Sequence, residues 1–172
     1  MASKIIRAKI YLFFVAIGLS LLSHTSNTFA FDSPSESDMP LSMKINGKSI
    51  SLQNLAPPTT KSDQALSDGA SIYIKNCVLC HGDLLDGKGL YSESFYPSPA
   101  NFLLPQSILS KPKSYTFWRV MKGGPGLPKK YEPWNSAMPA WEGVLTENQV
   151  WKVIHFIYEK SKKLSSTTTQ HV

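Results

Sequence analysis

Cys77-Val78-Leu79-Cys80-His81 contains both cysteines of the 172-residue chain and one of its four histidines. Two thiols at i and i+3 on one helical turn reach the two vinyl groups of a single porphyrin. The next residue then turns its imidazole toward the iron. Cys-X-X-Cys-His is for this reason the attachment signature of a c-type haem. Other readings of the cysteine pair fit less well. A thioredoxin-like pair opens a helix after a strand in a βαβ unit, whereas this one closes a helical stretch. A zinc site needs two further ligands at suitable spacing, and there is no second cysteine pair. A disulfide leaves His81 unexplained.

Upstream of the motif, Ser62 or Asp63 can cap a helix. Gly69, Ile72, Tyr73, Asn76, Cys77 and Cys80 then share one face at three- and four-residue spacing. Gly69 costs such a helix roughly 1 kcal/mol against alanine, which points to close approach by another helix. Downstream, Gly82 to Pro112 reads as loop. Ser114 to Lys122 reads as a short helix, ended by Gly123-Gly124-Pro125-Gly126. A second long loop follows from Leu127 to Val144. The last helix is expected from Thr146 to Lys160, with Thr146 and Gln149 as a capping box and Val150, Val153, Ile154 and Ile157 as its apolar stripe.

The domain is thus expected over residues 63–160, with residues 161–172 as a disordered tail. Residues 31–62 read as a linker or N-terminal arm with little core of its own. Within it, Met43 to Leu52 alternates around Asn46-Gly47, which predicts a small hairpin with a type I′ turn. The expected class is all-α with a loop-rich middle. So much loop in about 100 residues calls for a large apolar cofactor at the centre.

Residues 1–30 read as a signal peptide. Lys4, Arg7 and Lys9 precede the apolar run Ile10 to Leu22, and Thr28-Phe29-Ala30 resembles a cleavage site. The run has 13 residues, against the roughly 20 that cross a bilayer; retained, it would serve as an anchor. This leader holds three basic residues and no acidic ones, leaving 15 basic against 12 acidic residues, a formal charge of +3. No run of Lys and Arg interleaved with aromatics suggests a nucleic acid partner.

A thioether opposite the proximal histidine is the next requirement of a Met/His-type site. Met138, in Ser136-Ala137-Met138-Pro139-Ala140-Trp141, is held extended before a proline and is hard to explain as core. Met121 lies on an apolar helix beside Trp118, where core packing is the ordinary role. Met39 and Met43 fall in the arm. His155, between Ile154 and Phe156, is the alternative ligand.

The chain resembles the class I c-type cytochromes, which are single-haem and mostly helical. The matching residues are Gly69-Ala-Ser-Ile-Tyr73, Cys77-Val-Leu-Cys-His81-Gly82, Asp86-Gly87-Lys-Gly89, Pro99-Ala-Asn-Phe102, Met138-Pro139-Ala-Trp141 and the Leu145 to Tyr158 helix. The resemblance covers about residues 63–160 and implies a helical shell around one covalent haem c. It implies that Gly69 and Tyr73 cross the last helix at Trp151, Ile154 or Phe156. It implies that a proline carbonyl, Pro97 or preferably Pro99, accepts the His81 imidazole N–H, and that Trp118, Trp134 and Arg119 are candidates to contact the haem or its propionates. Iron held by His81 and Met138 is saturated, leaving one-electron transfer as its chemistry. The expected role is a periplasmic electron carrier or the haem subunit of a larger oxidoreductase, with redox proteins as partners. The alternative is a haem enzyme or gas-binding protein with an open sixth site.

Overall fold

Ser62 begins the first helix of the domain as the sequence predicts: its Oγ accepts the Ala65 N–H at 3.1 Å, satisfying one of the donors left free at a helix start. The computed structural model describes residues 34–58, 62–107, 110–132 and 136–169. The expected leader and Trp134 lie outside the described residues.

Helix α1 spans Asp63–Asn76. Cys77 interrupts it, and a single further turn, α2, spans Val78–His81. Gly82, at φ +78°, stops that turn. Helix α3 spans Lys113–Lys122, and Gly123, at φ +57°, terminates it. Helix α4 spans Glu147–Thr169. Its capping box is formed: Thr146 N–H donates to Gln149 Oε1 at 2.9 Å and Gln149 N–H to Thr146 Oγ1 at 3.2 Å.

Helices α1 and α4 cross where no side chain intervenes. A Cβ placed on Gly69 would lie 2.2 Å from the Lys152 carbonyl oxygen and 2.9 Å from Phe156 Cβ. Tyr73, one turn on, packs its ring 5.4 Å from that of Phe156. Of the three partners expected for this crossing, Phe156 is the one met. Trp151 instead stacks on Phe117 of α3 at 4.5 Å. Val150, Val153, Ile154 and Ile157 are all buried and join Phe117, Trp118 and Met121 in one core.

The hairpin is present. Strands β1 (Ser42–Ile45) and β2 (Lys48–Ser51) pair antiparallel, with Met43 opposite Ile50. Asn46 and Gly47 both have positive φ, 48° and 80°, as a type I′ turn requires. The arm contributes more core than the sequence suggested. Met43, Ile45 and Leu52 are buried with the helices. The Tyr115 hydroxyl donates to the Pro34 carbonyl at 2.8 Å, and Lys130 pairs with Asp38 at 2.6 Å. Three apolar side chains are too few to signal a core in sequence; they become one by docking on a surface already formed.

The tail needs a second correction. α4 continues past Lys160 to Thr169. No glycine or proline interrupts it, Ser161 is wholly buried, and the Ser166 and Thr167 hydroxyls bond back to the Lys163 carbonyl at 2.8 and 3.0 Å. The coarse expectation of a mostly helical domain with long loops holds; the described residues form four α-helices, one more than the sequence reading gave, and one two-stranded hairpin. No described helix is long and apolar enough to cross a membrane.

Candidate functional site

The site begins with the break between α1 and α2. Cys77 closes one helix and opens the next; the Cys80 and His81 N–H groups both bond its carbonyl, at 3.2 and 2.9 Å. Both thiols are free and half-buried. Burial, and then the neighbouring Cys80, push the Cys77 thiol up to about 12. A dithiol oxidoreductase needs the opposite, a depressed value that yields thiolate. Among the described residues no three His, Cys, Asp or Glu side chains gather as a metal cluster.

His81 is held on two sides. The Phe102 ring stacks on it at 4.7 Å and 17°, and its Nδ1 lies 3.2 Å from the Ala100 carbonyl oxygen. That bond places the proton on Nδ1 and leaves the Nε2 lone pair for a metal. Burial lowers the imidazole pKa and the Ala100 bond opposes this; the neutral ring is the ligating form.

The acceptor is therefore Ala100, not Pro99 or Pro97. The Pro99 carbonyl turns toward Gly87, where an added Cβ would meet it at 2.6 Å. In extended chain, successive residues face opposite ways, so a shift of one residue exchanges which carbonyl reaches the ring.

The loop after α2 folds back onto the motif. Gly87, Gly89 and Tyr91 donate their N–H groups to the carbonyls of His81, Cys80 and Leu79 at 3.0, 3.2 and 2.8 Å. These occupy the free carbonyls at the C-terminus of α2. A Cβ on Gly89 would lie 2.4 Å from the Leu79 carbonyl oxygen, so only glycine permits this approach. The buried Tyr73 hydroxyl closes the turn by donating to the Gly82 carbonyl at 2.6 Å.

Met138 lies in a loop fastened across the end of α3. Gly124 N–H donates to the Met138 carbonyl at 2.8 Å, Trp141 N–H to Val120 at 3.2 Å and Glu142 N–H to Met121 at 3.1 Å. The Met138 side chain is half-buried against the core. Met121, 1% exposed, is a core residue, as is Met43 in the arm. His155, half-buried on α4, has its Nδ1 3.9 Å from Glu159. Trp118 is also 1% exposed, with the Tyr115 ring edge-on at 5.6 Å and the Arg119 guanidinium 5.5 Å away. Arg119 donates to the Gly123 carbonyl at 3.0 Å. Among the described residues no carboxylate pairs with it, and burial lowers its pKa.

Ala100, Phe102, Gly87 and Gly89 are the site residues to which the sequence reading assigns no role. The signal for the two glycines was their spacing after the motif; a carbonyl acceptor leaves none.

Over residues 64–157 the sequence matches the model of the family described as "Cytochrome C oxidase, cbb3-type, subunit III". No curated protein matches it. Among solved structures, a chain of the Kuenenia stuttgartiensis reducing HAO-like protein complex is similar at 24% identity and a TM-score of 0.41. The alignment covers 69% of this chain and 49% of that one, so this chain spans about half the length of that structural relative.

Proposed function

The chain belongs to the family of the cbb3-type cytochrome c oxidase subunit III, and from that membership we propose that it carries single electrons through one haem c held by Cys77, Cys80, His81 and Met138. That it is a cytochrome c domain, with haem-based electron transport, follows from the family itself. The covalent link, the count of one haem and the methionine ligand are the further reading. A haem bound here supplies one-electron chemistry between Fe(II) and Fe(III).

The observation that carries the reading is His81. Two thiols on its own turn precede a neutral imidazole whose Nδ1 proton is engaged by Ala100, while its other nitrogen has no hydrogen-bond partner among the described residues. The residues fit the group in a second respect. Arg119, the only arginine after residue 7, is partly buried without a carboxylate among the described residues. A buried guanidinium is costly unless an anion meets it, and a propionate is such an anion. In this reading Pro99 fixes the backbone that leads into Ala100, and Trp118 acts through the core beneath Arg119. A haem held here would take the Met138 thioether as its further ligand, which would favour the reduced iron.

The family description names a subunit of an oxidase, which favours work inside a multi-subunit oxidoreductase over a free shuttle. Residues 1–30 as a leader put that work outside the cytoplasm, in the periplasm, membrane-attached if the leader is retained.

Purified protein should carry one haem that stays with the polypeptide after acid–organic extraction. Changing Cys77 and Cys80 together to alanine should release it. A haem that extracts freely from the unaltered protein would refute covalent attachment. Rapid CO binding by the reduced protein at neutral pH would favour the open-site reading over a carrier.

A further inference from the structure

Lys122 is the last residue of α3. Its ammonium meets acceptors from two distant parts of the chain. It donates to the Lys44 carbonyl of β1 at 2.7 Å, and it forms an ion pair with the Glu142 carboxylate. Lys44 sits between the buried Met43 and Ile45 of the docked arm. Glu142 follows Met138 by four residues, in the loop fastened to the end of α3. One side chain thus joins the arm to the methionine loop.

The Lys122 and Glu142 side chains are 24% and 28% exposed. Charge-assisted bonds shielded to this degree hold better than pairs on open surface. The loop belongs to no helix, and an isolated bridge between Glu142 and Leu145 is its one strand-like pairing among the described residues. Segments held by few bonds open locally at low cost. A tie at Glu142 therefore matters more here than it would on a helix.

We propose that Lys122 is a positioning residue for the sixth ligand: it transmits the docked arm to the Met138 loop, so that loosening the arm frees the sulfur from the iron. The proposal rests on Met138 being that ligand. The arm then acts as a latch, and a partner that displaced it would open the axial position to a small ligand.

The test uses full-length ferric holoprotein, titrated with imidazole while the sulfur-to-iron charge-transfer band is followed. Imidazole binds only sulfur-off iron, so its apparent Kd falls in proportion as that fraction rises. Lys122→Ala should lower the apparent Kd about tenfold, the size expected for one charge-assisted bond. Lys122→Arg should restore it, and Lys163→Ala, which removes an equal charge from exposed α4, should leave it unchanged.

Asp38→Asn loosens the arm at Lys130 and Tyr131 and leaves the Lys122–Glu142 pair in place. It should shift the titration in the same direction, and it keeps the test standing where Lys122→Ala does not accumulate. A band present in the parent, lost in Met138→Ala, with imidazole affinity unmoved in Lys122→Ala and Asp38→Asn, overturns the latch alone. So does a shift in Lys122→Ala with none in Asp38→Asn. A parent without the band, or a Met138→Ala protein that keeps it, removes the ligand reading and the latch with it.

Discussion

Ala100 and Tyr73 show how much of this site is made by single oxygen atoms of the backbone. The Ala100 carbonyl orients His81, and the Gly82 carbonyl takes the buried Tyr73 hydroxyl. Tyr73→Phe removes that bond and leaves the carbonyl only the longer one from the Leu85 N–H at 3.3 Å. It should destabilise the protein by about 0.5–1.5 kcal/mol, the usual net worth of one hydrogen bond, read from urea unfolding with the haem spectrum unchanged. Met138→Ala acts on chemistry instead. It should abolish the sulfur-to-iron band, admit CO to the reduced iron and lower the midpoint potential, because thioether ligation raises it. Optical titration checks all three, and an unaltered potential would contradict the assignment. Met138 was legible as a loop methionine before proline. Ala100 was not, because its role depends on the direction of one peptide group rather than on a side chain.

At the scale of elements, the crossing of α1 and α4 depends on Gly69. An added methyl would lie 2.2 Å from the Lys152 carbonyl oxygen. Backbone cannot yield as a side-chain end does, so Gly69→Ala should force the helices apart. The expected loss is about 1–3 kcal/mol, typical of overpacking, although alanine is the better helix former. Urea unfolding decides it: a stabilised Gly69→Ala protein would mean the crossing tolerates separation. The spacing of Gly69, Ile72 and Tyr73 made this contact foreseeable. The end of α4 was not, because a polar stretch without breakers reads equally as tail or helix until a buried Ser161 shows that something covers it.

Across the whole molecule, the arm completes the core and is locked by Asp38. Burial alone would raise the Asp38 carboxyl. The Lys130 ammonium, the Tyr131 hydroxyl and Ser35 outweigh it and hold the group well below its ordinary 3.8. A folded-state pKa below the unfolded one stabilises above that ordinary value, and the contribution is lost as pH falls through it toward the folded value. The stability gap between the parent and Asp38→Asn should be full at about pH 6 and shrink at about pH 3. Denaturant titrations at the two pH values measure it, and an equal gap at both would show that Asp38 does not lock the arm.

By itself the sequence determined the haem motif, the helices around it, the Asn-Gly turn and the candidate axial methionine. Each is a local pattern in which residue type and spacing carry the physical constraint. Only the tertiary structure decided that Ala100 rather than Pro99 faces His81, that the arm is core rather than linker, and that Lys122 ties that arm to the methionine loop. These depend on where backbone oxygens and sparse apolar side chains arrive after long loops close, and that is set by packing of the whole chain.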